Sequence, residues 1–85
     1  MKNAVFDNVE VGENWTMTCV TMKMPLQIKG KVEIHPIYSI GGMVMINRHL
    51  YLYVCQLHNP SSVTKSNVKQ IIRAWLDSLE KANAK

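Results

Sequence analysis

Acidic residues are scarce in this chain: six Asp and Glu stand against ten Lys and Arg, for a formal charge of +4. The imbalance is uneven. Residues 1–22 hold Lys2 against Asp7, Glu10 and Glu13, net −2, while residues 23–85 hold nine Lys and Arg against Glu33, Asp77 and Glu80, net +6. Such an asymmetry matters for partners more than for fold. Cysteine is nearly missing. Cys19 and Cys55 make neither a disulfide framework nor a paired-ligand motif, and in a cytosolic chain they are expected as reduced, buried thiols. A bridge between them needs neighbouring strands and facing side chains. No stretch approaches the roughly 18 apolar residues of a membrane span. Residues 1–7 lack the apolar run of a secretory signal. The expectation is a cytoplasmic protein without membrane contact. Also missing are a phosphate-cradling glycine loop, a nucleophile elbow, a paired-cysteine redox motif and a metalloprotease motif, so no enzyme and no cofactor is expected.

What is present describes one small domain of 85 residues, 47% hydrophobic and 19% charged. Residues 1–12 carry a weak alternation, Val5, Val9 and Val11 against Asp7 and Glu10, and read as an edge strand or arm. Residues 15–57 read as sheet. Trp15, Met17 and Cys19 share one face and Val20, Met22 and Met24 the other, so this strand is either covered on both sides or bulged near Cys19. Residues 26–35 alternate cleanly, Leu26, Ile28, Val32 and Ile34 against Gln27, Lys29, Lys31, Glu33 and His35. They read as one half-buried strand with a wet face. Gly41-Gly42 is a hairpin signal, Asn47-Arg48-His49 a second turn, and residues 50–57 a last strand.

Residues 64–82 form the strongest pattern. Val68, Ile71, Ile72, Trp75, Leu76, Leu79 and Ala82 recur with helical period and make one apolar stripe. Thr64 or Ser66 is the expected N-cap. Trp75, Leu76 and Leu79 are the expected centre of its contact with the sheet. The fold class that follows is α+β: an antiparallel β-meander of four to five strands with one C-terminal amphipathic helix packed on one face. The order of elements resembles that of the three-stranded-sheet arm-binding domains of phage integrases and of small chromatin-type barrels, without a shared motif.

Away from the stripe, Lys65, Lys69 and Arg73 follow at four-residue steps near the helix entry. Like charges at that spacing repel, and cations oppose the dipole at a helix N-terminus. With Lys29 and Lys31 on the wet strand face they are expected to contact phosphates, and Tyr51 and Tyr53, sharing one sheet face, to stack or pack nearby. On that reading Leu50, Leu52 and Val54 serve the core. The leading expectation is a small basic, non-enzymatic binding protein that contacts nucleic acid through the basic helix face. The alternative is a protein-interaction module, an inhibitor, adaptor or regulator, docking on an acidic partner. Open sheet edges also favour a homodimer. Cys19, His35, His49, Cys55 and His58 are the candidate metal ligands. Only Cys55 and His58 are closely spaced and no second pair completes a site, so no metal is expected. Of the six methionines, five fall in the predicted strands and suit an irregular core. Any left exposed would mark a protein-contact face or a dimer seam.

Overall fold

The computed structural model describes residues 4–83, with side chains through residue 82; the first three residues of the expected N-terminal arm and the tail Ala84-Lys85 lie outside the described residues. The elements are β1 (Ala4–Val11), β2 (Thr16–Ile28), β3 (Lys31–Ile46), β4 (His49–His58) and α1 (Ser62–Asn83). The four strands pair antiparallel in the spatial order β1-β2-β3-β4, an open meander, and α1 lies over one face, across β3. This is the expected α+β architecture.

The second expected turn, at Asn47 and Arg48, is present, whereas the expected Gly41-Gly42 turn is not and Lys29-Gly30 turns instead. The β2–β3 hairpin turns at Lys29 and Gly30, with φ of 51° and 78°, and the β3–β4 hairpin turns at Asn47 and Arg48, with φ of 50° and 68°. Positive φ at both central residues matches the right-handed twist of the flanking strands. Residues 26–35 are therefore a hairpin tip and not one strand. Leu26 pairs with Glu33 and Gln27 with Val32, so Leu26 and Ile28 face one side while Val32 and Ile34 face the other. The alternation in the sequence survives the turn by coincidence of phase. Gly41 and Gly42 lie instead in mid-strand, opposite Val54 and Tyr53. A Cβ at Gly42 would overlap the Thr16 carbonyl, so this glycine serves a close backbone approach and not a turn.

The β2 pattern resolves as a strand with apolar residues on both faces. Met17 and Cys19 are fully buried toward α1, and Val20 and Met22 on the reverse are only half-buried. The irregularity lies across from β2, in β1, where the register shifts between Phe6 and Asn8 and Asp7 is the extra residue. Thr21 donates its hydroxyl to the Asp7 carboxylate at 2.7 Å. The bulge keeps Phe6, Val9 and Val11 on one face despite their odd spacing.

Met17, Cys19, Tyr38, Ile40 and Val44 form the core with Trp15 and with Leu76 from α1; Val68, Ile72 and Leu79 pack around it. Leu76 is the centre of the helix contact. Trp75 is not: it is 44% exposed and turned toward β4, where its ring meets Tyr53 edge-on at 5.7 Å. The cap is also one turn earlier than expected. Ser61 accepts the Thr64 backbone N–H at 3.1 Å, so α1 begins at Ser62 and not at residue 64.

Beyond Met22 on β2 and Ile37 on β3 neither β1 nor β4 continues among the described residues, so residues 23–36 project as a two-stranded arm of about 20 Å. The molecule measures 54 × 25 × 22 Å with a radius of gyration of 15.3 Å, against about 12 Å for a compact chain of this length.

Burial ranks two neighbouring helix residues for stability. Leu76→Ala leaves a cavity under the helix and is expected to cost about 2–5 kcal/mol. Trp75→Ala, half in water, is expected to cost less; urea denaturation of both variants checks the order.

Candidate functional site

The basic flank of α1 meets the sheet. Arg73 Nη1 lies 2.7 Å from Glu10 Oε1, and Lys69 Nζ lies 3.4 Å from Glu10 Oε2. Asn8 donates its side-chain amide to the same carboxylate at 3.1 Å. Lys65 Nζ sits 5.0 Å from the centroid of the Tyr38 ring, a cation–π contact. The three cations that repel one another along the helix thus each have an attractive partner in the fold, supplied by a β1 glutamate and a β3 tyrosine. A first turn with no acidic residue is explained by what α1 packs against.

Lys29 and Lys31 do not join them. Lys29 is the first turn residue at the arm tip and Lys31 pairs with Ile28 beside it. The basic residues therefore form two patches, one folded onto β1 and one at the end of the arm.

Tyr51 and Tyr53 also stand differently from expectation. β4 is in register with β3 so that Tyr53 and Cys55 share the helix side with Ile40, while Leu50, Leu52 and Val54 point to the reverse. Tyr53 donates its hydroxyl to the Thr16 carbonyl at 2.6 Å, reaching from β4 to β2 past the bare Gly42. Burial, with the nearby Cys19 thiol adding to it, pushes its phenol up to about 12. Tyr38, more deeply buried and hydrogen-bonded to Cys19, is pushed up further. Tyr51 is on the same side as Tyr53 and half exposed. These rings are core and rim of the helix-side layer, and the leucines expected in the core are on the surface.

That exchange exposes the most distinctive surface of the protein. On the sheet face away from α1 stand Phe6, Val9 and Val11 of β1, Met43 of β3, and Leu52 and Val54 of β4, all exposed. Met45 and Leu50 extend it at one corner. Over the four-stranded body this face carries no Lys, Arg, Asp or Glu among the described residues. Apolar patches this extensive are uncommon on monomers and mark interaction surfaces. At the same corner a cavity of about 350 Å³ is lined by Val11, Trp15, Thr16, Met43, Met45 and Leu50 among others. Two lining residues, Trp15 and Asn14, hold buried polar atoms without a hydrogen-bond partner, the indole N–H and the Oδ1 oxygen.

At the opposite end of that face lies a chain of three titratable groups. His35 Nδ1 and His58 Nε2 are 2.6 Å apart, and His35 Nε2 is 2.8 Å from Glu33 Oε1. The two rings stack at 4.8 Å. One of the two histidine nitrogens donates and the other accepts, as the tautomer sets. Among the described residues no three His, Cys, Asp or Glu are placed to share a metal ion. Cys19 and Cys55 are both free thiols. They flank Ile40 on either side of β3, two strand spacings or about 9.6 Å apart, beyond disulfide reach. No described helix is long and apolar enough to cross a membrane.

No family model, no curated protein and no solved structure matches this chain.

Two outcomes follow from this geometry. Glu10→Gln strips the counter-ion from Lys69 and Arg73 and is expected to lower stability by about 0.5–1.5 kcal/mol at low ionic strength. The difference shrinks in about 1 M salt, where screening is complete within about 3 Å. Urea midpoints at the two salt concentrations test it. The raised phenol of Tyr53 means that its share of stability is whole below pH 10 and is lost as pH rises from 10 through about 12. Tyr53→Phe is expected to make that alkaline loss shallower, read from urea midpoints across the same window.

Proposed function

We propose that this protein is a small, non-enzymatic protein-interaction module whose docking surface is the open sheet face. The observation that carries this reading is the uncharged apolar layer of β1 to β4 turned away from the helix, with Leu52 78% and Phe6 70% exposed. The hydrophobic effect stabilises burial of such a surface by about 25 cal/mol per Å². The exposed Met43 and Met45 supply side chains that adapt to a partner's contour. The corner cavity beside Trp15 has the size and apolar lining to accept one protruding side chain of a partner.

Nucleic-acid contact, the leading expectation from the sequence, rests on thinner support. Lys69 and Arg73 share the single carboxylate of Glu10, which offsets one of their two charges, and Lys65 lies against Tyr38. What favours it is the arm tip, where Lys29 and Lys31 stand on a projecting two-stranded ribbon, a shape that can enter a groove of DNA. The same tip would also meet an acidic protein partner.

Two double variants separate the readings. Leu52→Lys with Val54→Lys is expected to abolish the protein complexes formed by a tagged chain, including complexes with an untagged copy, as read by crosslinking in lysate. Lys29→Glu with Lys31→Glu leaves them in place. Complexes that persist in the first variant overturn the proposal, as does salt-sensitive binding of labelled DNA or RNA that only the second variant loses.

A further inference from the structure

The open face is also suited to one particular occupant. We infer that a second copy of this chain covers it, the two sheets packing face to face about a two-fold axis into an eight-stranded sandwich with a helix on each outer side. This rests on the reading of the face as a protein-docking surface and names its partner.

Three observations are compatible with a second copy as the occupant. The first is charge. The face carries no Lys, Arg, Asp or Glu over the sheet body among the described residues, although the chain is +4 overall. Across a two-fold axis the patch meets the same patch, so a charged face would repel itself; the apolar residues of the sheet body carry no such charge, and Glu13 in the corner cavity and the His35–His58–Glu33 chain lie at its two ends. Lys69, Arg73 and Lys65 lie on the far side, against Glu10 and Tyr38, and Lys29 and Lys31 out on the arm, while Arg48 is in the β3–β4 turn.

The second is area. The chain exposes 6295 Å², whereas a compact monomer of 9.7 kDa exposes about 5,100 Å². The projecting arm accounts for part of the excess. Four strands at about 4.8 Å spacing and eight residues of about 3.4 Å give a footprint near 19 × 27 Å. The relief of the protruding side chains raises its accessible area toward the ~800 Å² per partner of a standard stable interface.

The third is shape. Sheets with one apolar face stack at about 10 Å with their strands nearly aligned, and side chains of alternate strands interdigitate. A layer of exposed Val, Leu, Met and Phe, crossed by Thr18 and Ser39 at its centre and flanked by a corner cavity, offers side chains for such packing. A small domain with one covered face gains a second core layer this way without lengthening its chain.

The test uses the full chain in sedimentation velocity from about 1 to 200 μM, at physiological salt. The expected mass is twice that of the 9.7 kDa chain. Phe6→Lys on β1 and Leu52→Lys on β4 each place a charge at the seam twice, by symmetry. Each is expected to weaken association at least about 100-fold. Two variants on different strands guard against one that fails to fold, and circular dichroism reports folding for each. Ile71→Lys, on the outer side of α1 where the residue is 67% exposed, is expected to remain dimeric. A single-chain mass at 200 μM overturns the inference. So does a dimer that survives both Phe6→Lys and Leu52→Lys, since its seam then lies elsewhere, for example along the β4 edge. A monomeric chain whose crosslinked complexes with other proteins still vanish in the Leu52→Lys, Val54→Lys variant would remove the second copy and leave the docking surface standing.

Discussion

A single α-helix, about 10 Å across, is enough to roof one face of a four-stranded sheet, and the described residues hold no second helix to roof the other. Everything else in this protein is arranged around that shortage of cover. The side chains that most need burial are on the roofed side. Met17, Cys19, Ile40 and Val44 come from the two central strands and Leu76 presses onto them from α1. The reverse side carries exposed residues of the same chemical types, Val, Leu, Met and Phe.

The roof is held by more than its apolar stripe. α1 lies over β3 with one flank toward β1 and the other toward β4. On the first flank Arg73 and Lys69 close on Glu10; on the second Trp75 meets Tyr53 edge-on. At its far end Glu80 accepts the backbone N–H of Glu13 at 2.6 Å, tying the helix to the β1–β2 turn. Charge pairs at the rim contribute modestly each, and together they set the direction of the helix over the sheet. The acidic N-terminal segment and the basic helix, an asymmetry that looked like a message to a partner, are in large part addressed to each other.

Tyr53 shows how closely the layers are coupled. Its hydroxyl crosses from β4 to the Thr16 carbonyl on β2, and the path runs past Gly42, where any side chain would strike that carbonyl. The glycine that resembles a turn is thus a packing device, and the tyrosine that resembles a stacking platform is a brace. The open face, by contrast, presents apolar side chains such as Phe6, Leu52 and Val54 to the outside. That is why an uncharged apolar surface, and not the cluster of lysines, directs the functional reading toward a protein partner.

Local patterns determined much by themselves. The period of Val68, Ile72, Leu76 and Leu79 is enough to predict the helix, and the run of alternating segments with short breaks is enough to predict an antiparallel meander closed by it. These signals are local: a stripe or an alternation depends only on neighbours in the chain. What faced what could not be read the same way. The alternation of residues 26–35 continues through a two-residue turn, so a hairpin looks like a strand. Leu50, Leu52 and Val54 are as apolar as Tyr51, Tyr53 and Cys55, so composition does not say which set meets the helix. The cations of α1 look free until Glu10, some sixty residues away, is placed beside them. The choice between the two faces of an apolar strand is made by register and by the one helix available, and both are properties of the assembled chain.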